Sequence, residues 1–204
     1  MNEYCVINIG RQLGSGGHEI GERLAELFGF SFYDKELIRL ASMESGLCSE
    51  VFEKADERIR YTVFDGLFGA TDNYLSNETL FQIQSDVIRK LANEGSCVFV
   101  GRCADYVLKD YPRAINLFIT ANLEDRVKRV MVQQNLSLAE ARSHIEKTDK
   151  RRATYYNFYS NKVWGAADSY DLCVNTSMLG IDETVNFLKI FIEKRFSLLS
   201  NHSE

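Results

Sequence analysis

The stretch YCVINIGRQLGSGGHEIGERLAELF, residues 4–28, decides how the rest of the chain is interpreted. It begins with the largely apolar, β-branched run 5–9, which is typical of a strand buried on both faces of a parallel sheet. From Ile20 onward the apolar residues recur at helical spacing, with charged residues between them. The sequence therefore predicts a strand, a glycine-rich turn and a helix in direct succession.

The turn between this strand and helix has the composition of a phosphate-binding loop. Gly14, Gly16 and Gly17 have no Cβ atom, so the backbone can bend sharply and bring its N–H groups close to an anion. The first turn of the helix adds unpaired N–H groups and the positive end of the helix dipole. The order of elements favours a phosphate site, and a flexible connection without a ligand is the alternative.

The usual signature of such a loop, GxxxxGK[ST], is incomplete in this chain. Gly17 stands where the lysine is expected, and His18 and Glu19 follow where a magnesium-binding hydroxyl is usual. Arg11 stands at the position of the first glycine. The loop therefore lacks the cation and the hydroxyl that its pattern normally provides.

Composition limits the classes of function. The chain has 204 residues, 45% of them hydrophobic, which suits one domain with an insertion. A formal charge of -5 argues against non-specific binding of nucleic acid, which needs a broad positive face. No apolar stretch is long enough to span a bilayer, and residues 1–10 lack the pattern of a signal peptide, so we expect a cytoplasmic protein without membrane association.

The five cysteines form no C-x-x-C pair. Cys5, Cys97 and Cys173 fall in predicted core strands, where we expect reduced, buried thiols. No metal site is predicted from them.

Strands and helices alternate along the chain, which predicts an α/β fold with a parallel sheet of about five strands and helices on both faces. The predicted strands are 5–9, 30–33, 97–100, 115–120 and 170–175. The predicted helices are 20–28, 78–94, 123 onward with Asn122 as N-cap, 137–159 and 181–196.

Two segments are predicted to depart from this regular core. A helix is predicted from Lys35, and residues 44–77 are polar, interrupted by glycines and interleaved with aromatic residues. We interpret residues 34–77 as a mostly helical insertion into a core formed by residues 1–33 and 78–204. Segment 137–165 begins with a capping box and carries a dense run of basic residues. That run is either a solvated helix face or a lid that closes over polyphosphate.

Charged residues at or after the ends of predicted strands are the candidates for binding a substrate or a phosphate. Asp34 either caps the helix that follows it or lies at the sheet edge where open α/β sheets bind substrates. Arg102 follows a core strand, and its planar fork suits a phosphate, although a salt bridge to Asp105 or Asp34 is the alternative. Arg126 and Arg129 lie on one side of the helix after the fourth strand.

Several stretches taken together resemble the cytidylate kinase-like family, within the nucleoside-monophosphate kinase class of P-loop kinases. They are INIGRQLGSGGHEIGERLAE, SFYDKELIRLAS, VFVGRCADYVLKDYPRAINLFITANLEDRVKR, and DKRRA followed by YDLCVNTSMLGIDETV. They cover nearly the whole predicted core in the family's order. The resemblance implies a three-layer P-loop kinase-like fold with a five-stranded parallel sheet, a helical insertion that binds the acceptor and a helical lid.

The resemblance also implies roles for individual residues, with ATP and Mg²⁺ as cofactors. The residues implied to bind ATP are Gly14, Ser15, Gly16, Gly17, His18, Arg126 and Arg129. The residues placed on the acceptor side are Asp34, Arg102 and Asp105. The residues implied in the closing lid are Asp149 and Arg152.

The departures from the family pattern concern charge. Gly17 and Glu19 replace a lysine and a threonine, Cys103 replaces an acidic residue, and Thr148 replaces an arginine. Losing a preorganised cation where charge develops lowers the rate by about two to three powers of ten. Arg11 is the first candidate to replace the lost charge, and a basic residue of the lid is the second.

These observations predict an ATP-dependent phosphotransferase that acts on a small molecule, with a nucleoside monophosphate such as CMP as the expected acceptor. Arg11, Arg102, Arg152, Asp149 and Mg²⁺ are its predicted catalytic groups, with Asp149 and Arg152 supplied by the lid. One alternative is a nucleotide-binding sensor or regulatory protein that has lost catalysis. Another is a kinase of a non-nucleotide small molecule. The acceptor's identity and the oligomeric state are left open by the sequence.

Overall fold

The structure is a computed structural model that describes residues 4–38 and 74–201, so most of the predicted insertion lies outside the described residues. The strands are β1 (Val6–Arg11), β2 (Ser31–Tyr33), β3 (Cys97–Val100), β4 (Ala114–Thr120) and β5 (Leu172–Asn175). The helices are α1 (Gly17–Phe28), α2 (Tyr74–Glu94), α3 (Ala104–Val107), α4 (Leu123–Gln134), α5 (Leu138–Ser160) and α6 (Thr176–Asn201), with a 3₁₀ turn at Ala167–Ser169.

The five strands form one parallel sheet in the order β2-β3-β1-β4-β5, which confirms the predicted sheet. β1 lies at its centre, with Ile9 opposite Val100 of β3 and Leu117 of β4. Because all strands run the same way, the loops after β1 and β3 leave the sheet at the same edge. This register brings the glycine-rich loop next to Gly101.

The sheet is covered by helices on both faces, because alternate residues of its strands are apolar on each side. One face packs against α1 and α6; its buried residues include Ile7, Ile9, Ile20, Leu24, Val98, Leu117, Val185, Leu188 and Ile192. The other face packs against α2 and α3; its buried residues include Val6, Ile88, Ala92, Cys97, Phe99, Ala104 and Val107. The result is the predicted three-layer arrangement.

α5 belongs to the predicted lid and is a single long helix. It begins at the predicted capping box, because Ser137 Oγ accepts from Glu140 N (3.4 Å) and Glu140 Oε2 accepts from Ser137 N (2.9 Å). Ala141 and Ile145 pack against α4 in a small apolar cluster that also contacts Leu13 of the glycine-rich loop. The first half of α5 therefore packs against the core beside that loop.

Two sequence predictions near β5 were wrong. Cys173 is exposed rather than buried, because β5 is an edge strand, whereas Cys97 is buried and Cys5 is half-buried. Asn122 occupies the N-cap position of α4, but its side chain does not cap the helix. Its Oδ1 instead accepts from Asn175 Nδ2 at 3.0 Å and joins the ends of β4 and β5.

The last helix is longer than predicted. α6 begins directly after β5 and bends at Gly180, whose φ of 74° interrupts the helix before the predicted start at Ile181. In the part of the chain that the structure describes, neither this nor any other helix combines the length and apolar character needed to cross a bilayer.

Candidate active site

The glycine-rich loop between β1 and α1 needs its glycines. Gly14 and Gly16 have φ angles of 77° and 84°, a region that side chains rarely adopt. A Cβ atom on Gly14 would lie 2.7 Å from the carbonyl oxygen of Arg126. A Cβ atom on Gly16 would lie 2.9 Å from Ile181 Cδ1. The loop thus packs its backbone directly against α4 and α6.

A buried ion pair holds the start of this loop. The Leu13 N–H donates to Asp149 Oδ1 at 2.9 Å, and Arg126 Nε donates to the Leu13 carbonyl at 2.7 Å. Arg126 and Asp149 also form a short charged hydrogen bond to each other. Arg126 is only 6% exposed, so its guanidinium is committed to these protein partners. Direct contact of Arg126 with a nucleotide stays a prediction.

Arg129 holds the next turn of the loop. Its Nη1 donates to the Gly14 carbonyl at 3.1 Å and to Thr176 Oγ1 at 3.0 Å, and Thr176 Oγ1 donates to the Ser15 carbonyl at 2.8 Å. The carbonyl oxygens of Leu13, Gly14 and Ser15 therefore each accept a hydrogen bond from a side chain outside the loop. The N–H groups of Gly14 and Gly16 donate to no protein acceptor among the described residues, which leaves them available to an anion.

Arg11 occupies the space beside Gly17. A Cβ atom on Gly17 would lie 2.5 Å from Arg11 Cβ and 3.1 Å from Arg11 Cγ. Farther along the same side chain, Arg11 Nη1 lies 2.2 Å from the place where Gly101 would carry a Cβ atom. The Arg11 guanidinium therefore rests on the backbone of Gly101, between the ends of β1 and β3. A side chain at either glycine would displace it.

The surroundings of Arg11 are electropositive. Burial, followed by the charges of Arg152 and Arg102, lowers the pKa of Arg11 to about 9, against an opposing effect of Asp34 and Asp149. Arg11 is still a cation at neutral pH. Arg152 lies beside it, because Arg152 Nη1 donates to the Arg11 carbonyl at 3.1 Å. Burial also lowers the pKa of Arg152, although Asp149, 3.8 Å from its Nη1, acts in the opposite direction.

Arg102 leaves β3 in an uncommon backbone conformation. Gly101, Arg102 and Cys103 have consecutive φ angles of 86°, 59° and 54°, and non-glycine residues with positive φ are rare outside functional or strained sites. The Arg102 guanidinium carbon lies 5.7 Å from the centre of the Tyr155 ring. Among the described residues it forms no salt bridge, so the alternative pairing with Asp105 or Asp34 is wrong.

Asp34 caps a helical turn and also faces the loop. Its Oδ1 accepts from the N–H groups of Glu36 (2.9 Å) and Leu37 (3.0 Å), which confirms the predicted cap. Its Oδ2 lies 3.1 Å from His18 Nε2 in the first turn of α1. Burial raises the pKa of Asp34, but the hydrogen bonds from Leu37, His18 and Glu36 outweigh burial and lower it. Asp34 is therefore ionised at neutral pH.

A cleft of about 420 Å³ opens between the ends of β1 and β3 and the inner face of α5, a volume suited to a small-molecule ligand. Its lining includes the predicted site residues Arg11, Arg102, Asp105 and Arg152. It also includes residues that sequence reasoning did not assign to a site: Asn8, Lys35, His144, Thr148, Arg151, Tyr155, Tyr156, Trp164 and Tyr170. The other predicted site residues do not line it: Gly14, Ser15, Gly16, Gly17, His18, Asp34, Arg126, Arg129 and Asp149.

The unassigned lining residues carried weak sequence signals. Asn8 was visible as a polar residue inside an apolar strand, CVINI, and Thr148 as a departure from an expected arginine. Tyr155 and Tyr156 looked like ordinary residues of a charged helix. Asp105, by contrast, was a predicted residue, and it is bound by the Tyr156 hydroxyl, which donates to its Oδ2 at 2.7 Å.

The donor atoms near the loop do not form a protein site for Mg²⁺. His18 is engaged with Asp34, and the Ser15 hydroxyl donates to the Gln12 carbonyl at 2.8 Å. Within residues 4–38 and 74–201 no group of three or more His, Cys, Asp or Glu side chains could hold a metal ion. Mg²⁺ usually keeps several waters and phosphate oxygens as ligands, so a phosphate-bearing ligand would have to complete a Mg²⁺ site here.

Comparison with known proteins identifies relatives over most of the chain. The profile of the cytidylate kinase-like family matches residues 6–178. The cytidylate kinase of Methanopyrus kandleri is 28% identical over 201 residues, which cover 92% of this chain and 93% of that protein. The crystal structure of an uncharacterized protein from Eubacterium ventriosum is 30% identical, with a TM-score of 0.72 over 93% of this chain and 98% of that one. A gluconokinase from Sinorhizobium meliloti, 12% identical with a TM-score of 0.60 over 100% of both chains, shares the fold.

Proposed function

The chain belongs to the cytidylate kinase-like family, and from this premise we propose that it transfers the γ-phosphoryl group of MgATP to a small acceptor, with a nucleoside monophosphate such as CMP as the expected one. The observation that carries the proposal is that a large side chain stands at position 11 and none at position 17, the reverse of the usual loop pattern. Arg11 fills the space beside Gly17 and sends a cation into the cleft, where the family pattern has a glycine and a lysine. The missing loop charge is thus supplied from the end of β1.

The donor phosphates would bind to the loop. The N–H groups of Gly14 and Gly16 are not used by the protein, and the first turn of α1 adds further N–H groups and the positive end of its dipole. Arg126 and Arg129 keep the loop carbonyls turned outward by binding them. Their contribution to ATP binding is then to hold the loop open for an anion.

The transferred group would be stabilised by cations that come from three elements. Arg11 ends β1, Arg102 follows β3 and Arg152 lies on α5, and all three line the same cleft. Phosphoryl transfer depends on positioning and on neutralising charge that spreads over the equatorial oxygens. Their arrangement lets Arg102 hold the acceptor phosphate while Arg11 and Arg152 face the developing charge.

The acceptor would enter between α5 and the sheet. When the acceptor is itself a phosphate, little proton abstraction is needed, so the absence of a histidine base from this scheme is no obstacle. Asp34 would lie at the entrance of the acceptor pocket, and Asp105 would bind the acceptor within the cleft. Asp149 would keep the lid helix in register with the loop through its bond to Leu13.

The test is an assay of nucleoside diphosphate formation from MgATP with CMP, UMP, dCMP, AMP and GMP. We expect turnover with CMP, and we expect Arg11→Ala to lower kcat by about 10²–10³-fold because it removes a cation placed at developing charge. Arg142→Ala is the control, since Arg142 is an exposed cation on the same helix as Arg152. This variant should turn over as the wild type does.

The same experiment separates the alternatives. Binding of ATP without transfer to any acceptor, unchanged by Arg11→Ala, would identify a nucleotide-binding sensor and contradict the proposal. ATP consumption only with a non-nucleotide acceptor such as gluconate would identify a small-molecule kinase with a different substrate.

A further inference from the structure

The deep part of the cleft contains a polar residue where a strand core is normally apolar. Asn8 lies in the middle of β1 and is only 2% exposed. Its Nδ2 donates to Asn116 Oδ1 of β4 at 2.9 Å. Asn8 is one of the residues that line the cleft, and its Oδ1 is buried and has no hydrogen-bond partner in the described part of the chain. Leaving such an acceptor unsatisfied costs free energy, so its position calls for an explanation.

Two more unsatisfied polar atoms line the same cleft. The Thr148 hydroxyl on α5 and the Tyr170 hydroxyl before β5 are buried and make no hydrogen bond of normal geometry within residues 4–38 and 74–201. They reach the cleft from different elements of the fold. More than nine in ten buried polar groups in proteins are hydrogen-bonded, so three exceptions along one cleft indicate atoms that await a ligand.

Charge is distributed unevenly along the cleft. Arg11 ends β1, whereas Asn8 lies three residues earlier, about 10 Å deeper along the strand. Arg102 follows the end of β3 and Arg152 Nη1 donates to the Arg11 carbonyl, so both lie with Arg11 at the strand-end edge, the outer part of the cleft. The lining also includes the Asn8 amide, whose oxygen is a free acceptor among the described residues, and the Asp105 carboxyl, which accepts from the Tyr156 hydroxyl. The outer part suits an anion, and the deeper part suits neutral groups that donate hydrogen bonds.

We propose that Asn8, Thr148 and Tyr170 form a recognition subsite for the neutral end of the acceptor, and that this end carries hydroxyl or amino groups. Asn8 Oδ1 accepts a hydrogen bond from it, and the two hydroxyl groups either donate to it or accept from it. The phosphate of the same molecule points outward to the arginines. The subsite rests on the proposed function in that it assumes a phosphate-bearing acceptor.

The aromatic lining supports a ring-bearing ligand. Trp164 and Tyr156 flank the cleft, and Trp164 is held edge to face against Phe118, with their ring centres 5.2 Å apart. A flat or puckered ring could pack on these surfaces while its hydroxyl or amino groups reach the polar atoms. The chemical class is therefore a phosphate ester with a polar ring at its other end.

The experiment compares binding of CMP, ribose 5-phosphate and inorganic phosphate by calorimetry, using the full chain and two variants. Thr148→Val and Tyr170→Phe each remove one hydroxyl that makes no hydrogen bond of normal geometry among the described residues, with little change of shape. We expect each to weaken binding of CMP or ribose 5-phosphate by about three- to tenfold, the usual effect of one hydrogen bond, and to leave binding of inorganic phosphate unchanged. Thr154→Val is the control, because Thr154 is an exposed threonine on the same helix.

Thermal unfolding gives a second readout. Because neither hydroxyl makes a hydrogen bond of normal geometry to the part of the chain that the structure describes, neither Thr148→Val nor Tyr170→Phe should lower Tm. A lower Tm for both variants would show that the hydroxyls serve the fold and would overturn the subsite. Unchanged binding of both esters, equal weakening of inorganic phosphate, or esters that bind the wild type no more tightly than inorganic phosphate would overturn it as well.

Failure of the subsite and failure of the proposed kinase activity would give different results. Selective weakening of ester binding without any phosphoryl transfer would support the subsite and contradict the kinase. Transfer to CMP with the same KM in the wild type, Thr148→Val and Tyr170→Phe would support the kinase and contradict the subsite.

Discussion

The arginines around the glycine-rich loop fall into two groups that differ in what their guanidinium groups contact. Arg126 and Arg129 bind loop carbonyls, and the buried Arg126 also pairs with Asp149. Arg11 and Arg102 face the cleft, and in the described part of the chain neither lies within salt-bridge distance of a carboxylate. The guanidinium groups of Arg126 and Arg129 are therefore bound by other protein groups, whereas those of Arg11 and Arg102 face the cleft without a carboxylate partner among the described residues.

This difference supports the proposal that a loop without a lysine can still prepare an anion site. A buried cation paired with a carboxylate contributes shape but little net field, whereas a desolvated cation without such a partner attracts anions strongly. Burial and like charges lower the pKa of Arg11, so placing it there has an energetic cost. An anionic substrate would relieve that cost on binding.

The largest effect on stability is expected from Arg126→Met. Removing this cation frees the Leu13 carbonyl and leaves Asp149 with only the more distant Arg152, 3.8 Å away, so the free energy of unfolding should fall by about 3 kcal/mol, the low end for breaking a buried pair. Denaturant titration measures it, and Arg142→Met, an exposed change on α5, should stay within about 0.5 kcal/mol of the wild type. A stable Arg126→Met protein that loses only ATP affinity would move Arg126 into the ligand-facing group.

A smaller effect is expected from comparing Gly101→Ala with Gly29→Ala, because the two variants should lose similar stability and differ in activity. Both glycines have positive φ angles, 86° and 65°, so each alanine should cost about 1–2 kcal/mol of stability. Only at Gly101 would the new Cβ atom strike Arg11, because no atom lies within 4 Å of the corresponding position at Gly29.

Gly101→Ala should therefore lower turnover by about ten- to a hundredfold, part of the effect of losing the cation, whereas Gly29→Ala should not. Steady-state kinetics of both variants, measured with their unfolding curves, provide the comparison. Equal turnover in the two variants would show that the placement of Arg11 against Gly101 is irrelevant to transfer.

The smallest effect, a change in Tm, is expected from Asp105→Asn. This variant tests the same contrast for carboxylates, one paired with a cation and one not. Asp149 is paired with a cation, whereas Asp105 is bound by a phenol, and its burial raises its pKa above the ordinary 3.8. The folded protein therefore holds this proton more tightly than the unfolded chain, so stability falls as pH rises through the window above 3.8. Asparagine removes the ionisation.

Asp105→Asn should therefore raise Tm relative to the wild type at pH 7–8, and the gain should shrink as the pH is lowered towards 3.8. Thermal melts across this range measure the difference, with the exposed Asp110→Asn as the control. A gain that does not depend on pH would mean that the Asp105 ionisation is not its cause.

The sheet could be predicted from sequence because its strands are short apolar runs separated by helical patterns. Their bounds shifted by no more than about two residues, and β3 was predicted at 97–100, where it lies. The position of β5 at the sheet edge could not be predicted, since strand order depends on pairing between distant segments. This is why Cys173 was wrongly expected in the core.

The candidate site was predicted less completely, for the same physical reason. Arg11 could be identified from sequence because it stands where the loop pattern GxxxxGK[ST] has its first glycine. The burial of Arg126 could not be foreseen, because its partner Asp149 lies 23 residues away and both belong to helices that look charged and exposed. Asn8 stands out only as a polar residue in an apolar run, and Tyr170 has no distinguishing local pattern, because both reach the cleft only after the sheet and α5 come together.

The most direct test of the account is a double-mutant cycle on Arg11 and Gly17, measured as kcat for diphosphate formation from MgATP and CMP. Arg11→Gly removes the cation, and Gly17→Lys alone forces a side chain into the Arg11 stem, 2.5 Å from its Cβ, so each should lose about 10²–10³-fold. The double variant restores both glycine and lysine and should exceed each single variant by at least about tenfold, because the two positions share one space. A double variant whose loss equals the product of the two single losses would contradict the claim that Arg11 takes the place of the loop lysine.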